Sequence, residues 1–162
     1  MLAGLLERFR RGPELVATIV TGAAGLELDF APAPGKWTIR QILAHLADAE
    51  IAAADRFRRT IAEDNPVLMA YDQEAWTRNL NYQRRKISES LDFFRRLRAQ
   101  NYELFKDLPQ PAFRRTATHS QRGRVTLLDL LQMYAEHAEN HALQLRDLRQ
   151  QYKERKAAPK SA

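Results

Sequence analysis

The sequence predicts an all-α protein, a four-helix bundle, from three observations. Apolar residues recur with a period near 3.6 along most of the 162 residues, and no segment shows the clear alternation of a strand. Two helix-start signatures, at Thr38 and Thr126, precede long periodic segments. Four long helices with mostly short connections are typical of a bundle, whose core can also hold a metal between facing helices.

The first helix is predicted over residues 1–21. Pro13 is expected to interrupt or restart this helix, because proline is tolerated in a first helical turn but not in a helix interior. Gly22 and Gly25 supply the residue type that commonly follows a helix C-terminus, and they set the predicted end.

The second helix is predicted over residues 38–62. Thr38-x-x-Gln41 matches a capping box, in which each side chain satisfies a free backbone N–H of the first turn. Asn65 precedes a proline, a position that disfavours helix, so the helix is expected to end before it.

The remaining elements follow from the same rules. A short helix is predicted over 72–78 and a long third helix over 81–107, and the segment 109–123 is expected to be an irregular loop. The last long helix starts at the capping box Thr126-x-x-Asp129 and is predicted to run to about residue 152.

Composition narrows the function classes. The chain has no cysteine, which excludes disulfides, thiolate metal sites and a cysteine nucleophile. No apolar run is long enough for a transmembrane helix and the N-terminus does not resemble a secretion signal, so a cytoplasmic location is expected, without membrane association. We predict one helical domain over 1–152 and a basic disordered tail over 153–162.

The net charge of +6 does not by itself predict nucleic-acid binding. The tail carries half of this surplus, and the other basic residues occur as scattered pairs of the kind that coat solvated helix faces. No nucleic-acid motif accompanies them, so no nucleic-acid partner is predicted.

Three of the four histidines are candidate metal ligands. His137 and His141 are four residues apart within the apolar face of the last helix, so their side chains are neighbours. His45 lies in the second helix, and with it the three imidazoles form a set that leaves an open position on an ion. The alternative is that each histidine hydrogen-bonds a buried tyrosine, carboxylate or carbonyl group, and the sequence pattern alone leaves both interpretations open.

Five other polar residues near these histidines are weaker candidates. Asp48 and Glu50 are expected at the surface, although either could orient a histidine ring. Tyr134 is expected to pack in the core, with a hydrogen bond to a metal-bound group as the alternative. His119 is expected to be an exposed or locally bonded loop residue, with a place at a pocket mouth as the alternative. Arg56 shares a helix side with His45 and could meet an anionic substrate.

The ordered motifs of the chain resemble those of the DinB-like, or YfiT-like, metalloenzyme superfamily. The segment 34–50 is similar to the signature of that family, 71–76 to its short middle motif and 119–127 to its approach to the last helix. The segment 136–145 is similar to its closing H-x-x-x-H-x-x-Q motif. The resemblance covers roughly residues 10–150.

This resemblance implies a four-helix bundle of up-down-down-up topology, often dimeric. It also implies a divalent metal, zinc or nickel first, bound by His45, His137 and His141, with no ligand position lost. The catalytic residues stay unassigned.

Two chemistries suit three neutral imidazoles on a divalent ion. Such an ion activates water and also favours a bound thiolate. Relatives in the superfamily include thiol-dependent S-transferases, so we expect a low-molecular-weight thiol and an electrophile as substrates. A metal-dependent hydrolase and a non-catalytic metal-binding stress-response protein are the alternatives.

Overall fold

The computed structural model describes residues 1–158, and these form a four-helix bundle with a small accessory sheet. The five α-helices are α1 (Leu2–Val20), α2 (Ile39–Ala62), α3 (Gln73–Asn79), α4 (Ile87–Phe105) and α5 (Leu127–Ala157). The three strands are β1 (Val67–Leu68), β2 (Thr116–His119) and β3 (Gly123–Thr126). The predicted all-α class is confirmed, because α1, α2, α4 and α5 build the bundle and the sheet is minor. No helix in this range is long and apolar enough to cross a membrane.

Side-chain contacts fix the direction of α5 relative to α1. Arg8 of α1 donates to Glu139 of α5. Further along both helices, Arg149 of α5 donates to the carbonyl of Ile19 of α1. Both pairs increase together in residue number, so α1 and α5 run parallel.

The same reasoning places the other two long helices. Arg85, just before α4, pairs with Asp48, and Arg58 donates to Asn101, so α2 and α4 are also parallel. Along α2 and α5 the order reverses: His45 meets His137, whereas the later Arg56 meets the earlier Tyr134. The helices therefore run up, down, down and up, as the family resemblance implied.

Both predicted helix starts are confirmed. Thr38 accepts a hydrogen bond from the backbone N–H of Gln41, whose side chain accepts one in return from the N–H of Thr38. Thr126 and Asp129 form the second capping box at the start of α5. These caps set the helical phase that points the histidines of α2 and α5 inward.

The prediction that Pro13 interrupts the first helix is wrong, because α1 continues through it. Proline lacks the N–H that would bond the carbonyl four residues earlier, which here belongs to Phe9. Arg98 of α4 donates its Nη1–H to that carbonyl at 2.8 Å. A side chain from a neighbouring helix thus replaces the missing intrahelical bond.

The third long helix begins later than predicted. Asn81 has φ of +52°, in the left-handed region, and a short 3-10 turn at Tyr82–Arg84 follows it before α4 starts at Ile87. The left-handed residue breaks the helical path that the apolar periodicity suggested.

The predicted irregular loop at 109–123 instead contains a 3-10 turn and β2. β2 pairs antiparallel with β3 and parallel with β1, which gives a three-stranded sheet. Strands of two to four residues are too short to show a period of two, so no pattern in the sequence predicts them.

The last helix is longer than predicted and reaches Ala157. Its final turns are built from good helix formers, with Gln150 donating to Glu154 across one turn. The first part of the expected tail is therefore helical and exposed, and residues 159–162 lie outside the described range. The division between a domain over 1–152 and a tail stays a prediction.

Candidate metal centre

Three imidazoles from two helices meet inside the bundle. The Nε2 atom of His137 lies 2.9 Å from Nε2 of His45 and 3.1 Å from Nε2 of His141. One nitrogen from each ring lies within 4.8 Å of the other two. We call this group the three-histidine site. The structure thus brings together the three residues that the sequence singled out as ligands; that they bind a metal stays a prediction.

Neighbouring side chains fix the orientation of two of these rings. The Nδ1–H of His141 donates to Oε1 of Gln144 at 2.8 Å, an assignment that leaves its Nε2 with a free lone pair. The Trp37 ring packs 4.8 Å from the His45 ring and lies nearly parallel to that of His141, at 6.4 Å. The indole therefore covers one side of the site.

Burial keeps the three imidazoles neutral. Burial and the proximity of His141 lower the pKa of His45 to about 3. The pKa of His137 is held well below its usual value by burial and by the other two histidines, and burial also lowers that of His141. The site therefore presents uncharged rings, the protonation state in which imidazole binds a metal.

The spacing of the nitrogens fits a shared cation. Ligand atoms about 2.0–2.1 Å from one ion are about 2.8–3.4 Å apart for angles between octahedral and tetrahedral. The distances of 2.9 and 3.1 Å from Nε2 of His137 to its two neighbours lie in this range. Three neutral imidazoles cannot pair all of their facing ring nitrogens by hydrogen bonds alone. Two nitrogen lone pairs that face each other need a proton or a cation between them. The donor set and its spacing therefore fit a divalent ion bound by His45, His137 and His141.

A cavity of about 140 Å³ opens beside His137. Its wall is polar and includes no aspartate or glutamate. Its lining residues are Ala49, Arg56, Ala70, Tyr71, Gln73, His119, Gln121, Arg122, Met133, Tyr134 and His137.

Two of these residues form a fixed pair. Arg56 is almost fully buried and donates its Nη1–H to the hydroxyl oxygen of Tyr134 at 2.8 Å. Burial raises the pKa of Tyr134, so the side chain remains a neutral hydroxyl at neutral pH. Tyr134 thus packs in the core as predicted, and in addition carries a hydroxyl to the cavity.

The expectation that His119 is an exposed or local loop residue is corrected in part. His119 ends β2, where Leu68 and Gly123 are its register partners, and it is buried in the cavity wall. It also makes the expected local bond, since its Nδ1 accepts from the backbone N–H of Gln121 at 3.2 Å. Its position in the cavity wall is closer to the alternative, a place at a pocket mouth, than to an exposed loop.

The predicted surface positions of Asp48 and Glu50 are wrong. Asp48 is buried and binds Arg85, while Glu50 is buried and receives two hydrogen bonds from Arg98. The arginine partners lie on or just before α4, and a pairing between residues so far apart has no local sequence signal. Neither acid has a histidine of the site as a hydrogen-bond partner.

Sequence reasoning missed three further contributors. Trp37 lies in the segment 34–50 but had no predicted role at the site, whereas its ring covers the histidines. Gln144 was part of a motif but had no predicted role, and Arg122 was not singled out. The position of Gln144, one turn after His141 on the same face, was a usable signal.

Comparison with known proteins gives a consistent picture. The model of the DinB superfamily matches residues 8–145. A protein of Oceanobacillus iheyensis named "Putative metal-dependent hydrolase" is 30% identical over 136 residues, which cover 84% of this chain and 78% of the relative. The protein of Bacillus subtilis named "Putative metal-dependent hydrolase YfiT" is 28% identical over 75% of this chain and 69% of its own length.

A solved structure supports the fold. YfiT from Bacillus subtilis, described as having an unusual four-helix bundle topology, superposes with a TM-score of 0.87 at 24% identity. The match covers 93% of this chain and 86% of that one. From the family match and the similarity to these relatives, the chain belongs to the DinB superfamily.

Proposed function

We propose that this DinB superfamily protein holds one divalent metal ion at the three-histidine site and hydrolyses a small-molecule substrate in the adjoining cavity. The observation that carries the proposal is the meeting of three neutral imidazole nitrogens, one of which belongs to His137, a residue that lines a cavity. The names of two relatives as metal-dependent hydrolases favour this reaction type. Zinc or nickel is the expected ion, since both suit imidazole ligands.

A divalent cation there supplies Lewis acidity, which lowers the pKa of coordinated water toward ~7 and polarises a carbonyl or phosphoryl group. The chain supplies the remaining parts. Gln144 holds the proton of His141 on Nδ1, so that Nε2 stays a ligand atom. Trp37 keeps water away from one side of the rings.

Tyr134 has the geometry to bind a substrate oxygen. Its hydroxyl oxygen already accepts a hydrogen bond from Arg56, so its own O–H is directed elsewhere, and it lines the cavity beside His137. A hydroxyl held in this way can donate to an oxygen on which charge develops during hydrolysis.

Metal content of the purified protein and two histidine variants tests the ligand assignment. Elemental analysis should give about one ion per chain for the wild type and for His119→Ala, whose residue lines the cavity but lies outside the three-histidine site. His141→Ala should lose the ion. Full occupancy in His141→Ala would refute the ligand assignment.

A substrate panel tests the reaction type. Esters, amides and phosphoesters are assayed with and without a chelator, and we expect at least one chelator-sensitive hydrolysis. We now place hydrolysis before thiol transfer, the reverse of the preference at the level of the sequence, because two relatives are named as hydrolases. A panel of thiols assayed with a chromogenic electrophile tests thiol transfer. Metal-dependent conjugation without any hydrolysis would support S-transfer. Metal binding without either activity would support the non-catalytic alternative.

A homodimer in the cytoplasm remains part of the proposal. Ile51 of α2 and Phe93 of α4 are about half exposed and line the same shallow groove, which favours helix packing against a second copy. Light scattering at micromolar concentration should give twice the monomer mass, and Phe93→Glu should lower it toward the monomer.

A further inference from the structure

Arg56 is a buried cation with no acidic partner. Only 7% of the residue is exposed, and within residues 1–158 no carboxylate lies at salt-bridge distance from it. A buried charge is normally paired, because removing it from water is costly.

The existing contacts of Arg56 use neutral acceptors. Its Nη1–H donates to the hydroxyl of Tyr134, and its Nη2–H donates to the carbonyl of Met69 at 2.7 Å. A guanidinium carries five N–H donors in a planar fork, so these two bonds leave donors for a further acceptor. The two bonds also hold the side chain in one orientation at the cavity wall.

The acids on preceding turns of α2 are committed to other arginines. Asp48 binds Arg85, and Glu50 binds Arg98 through both of its oxygens. The positive charge of Arg56 therefore has no internal counter-ion on its own helix face.

His119 adds a second donor to the same cavity. Because its Nδ1 accepts the backbone N–H of Gln121, its ring proton is on Nε2. Burial lowers the pKa of His119, and the nearby charges of Arg56 and Arg122 lower it further, so the ring is neutral at pH 7. Arg122 is the exposed third basic residue of the lining.

We infer that Arg56 determines substrate specificity by binding an oxyanion, a carboxylate or phosphate group, in the cavity beside the three-histidine site. The inference deepens the proposed function and rests on it for the role of that anion in catalysis, whereas the binding itself needs no metal. A cavity of about 140 Å³ has room for such a group and a few further atoms. A substrate anchored at Arg56 would lie next to Tyr134 and His137.

Titration of two probe anions into the full-length protein tests this. Acetate and inorganic phosphate are added at constant ionic strength while the Nε–H resonance of Arg56 is followed by NMR, with the protein as purified and again after chelation. We expect a saturable shift with at least one probe. Arg56→Gln should weaken binding about 10- to 100-fold, measured by calorimetry, because it removes a charge-assisted hydrogen-bond partner.

Arg58→Gln is the matched control, because Arg58 is an exposed arginine on the same helix that does not line the cavity. Its anion affinity should stay within about twofold of the wild type, and Arg56→Lys, which keeps the charge, should retain intermediate binding. If Arg56→Gln does not fold, the wild-type titration and Arg56→Lys still decide the outcome. The preference between acetate and phosphate distinguishes carboxylate from phosphoester substrates.

Two results would overturn the inference: no saturable shift of Arg56 with either probe, or equal anion affinity in Arg56→Gln and the wild type. If the second result came with a loss of thermal stability in Arg56→Gln, Arg56 would be a purely structural link. Anion binding in a protein that neither holds metal nor hydrolyses any substrate would support the anion site at Arg56 but refute the proposed function, and with it the role of Arg56 in substrate specificity.

Discussion

Helix α2 carries two buried polar side chains, Glu50 and His45, which differ in how completely their hydrogen-bonding atoms are paired. Glu50, together with Arg98 and Asn101 of α4, forms what we call the closed cluster, in which every charge is paired. Less than two turns earlier, His45 joins the three-histidine site, where ring nitrogens face one another with too few protons between them. His45 is as buried as Glu50, whereas His137 and His141 are partly exposed. What distinguishes a structural cluster from a candidate binding site is the unused capacity to bind.

The closed cluster also repairs a defect in α1. Arg98 and Glu50 are each about 1% exposed, and Arg98 reaches past its partner to the Phe9 carbonyl that Pro13 leaves without an N–H. Tyr134 links the closed cluster to the cavity, since its backbone carbonyl accepts from Arg98 and its hydroxyl accepts from the cavity residue Arg56. The comparison predicts that damage to the closed cluster lowers stability, whereas damage to the three-histidine site changes ligand binding.

The largest expected effect comes from breaking the closed cluster. Glu50→Ala leaves Arg98 buried without its counter-ion and should lower the free energy of unfolding by about 3–5 kcal/mol. Denaturant unfolding measures the loss. Glu139→Ala is the control, because it removes an arginine pair of similar geometry on the surface and should lose only about 0.2–1 kcal/mol. Similar losses in the two variants would remove the distinction between buried and exposed pairs.

Metal should stabilise the wild type through the three-histidine site. An ion present at a hundred times its dissociation constant adds about 2.7 kcal/mol to the free energy of unfolding. Thermal unfolding with and without zinc or nickel should show this gain in the wild type and not in His141→Ala. Chelation should abolish it. Equal stabilisation of both proteins would place the ion elsewhere.

A methyl group added at Gly12 should disturb the closed cluster by overpacking. The new Cβ would lie 2.9 Å from the Cβ of Ala138 and 2.9 Å from Nη1 of Arg98, so Gly12→Ala should destabilise the protein by about 1–3 kcal/mol. Gly4→Ala in the same helix has nothing within 4 Å of the new Cβ and should gain about 0.5–1 kcal/mol. Chemical denaturation of both variants tests the opposite signs; a stabilised Gly12→Ala would show that this packing is looser than described.

The smallest effect is expected at the C-terminus. Truncation after Tyr152 removes residues 153–162, and the described part of this segment, 153–158, is exposed. Within it, Arg155 lies 5.6 Å from the Phe30 ring centre, a weak contact at the surface. Unfolding free energy should fall by less than about 1 kcal/mol, and metal content should be unchanged. A larger loss would mean that the end of α5 is anchored to the crossover before α2.

Local sequence signals predicted much of the bundle. The capping boxes at Thr38 and Thr126 need only residues three apart, and both starts are confirmed. The pairing of His137 with His141 likewise follows from one helical turn. The alignment of His45 with this pair depends on how two helices pack, so only the resemblance to a family could supply it.

Features that depend on distant partners were missed. Glu50 was expected at the surface because its partner Arg98 lies in another helix, and Pro13 was expected to break α1 because the same arginine was not foreseen. The sheet that places His119 in the cavity wall consists of strands too short to leave a pattern. In each case the decisive interaction forms only in the folded chain.

A crystal structure of the metal-loaded protein, with anomalous data at the absorption edge of the ion, tests the central claim most directly. We predict one strong anomalous peak per chain, about 2.0–2.2 Å from the Nε2 atoms of His45, His137 and His141. A peak bound elsewhere, or fully metal-loaded protein with no peak between these three rings, would contradict it.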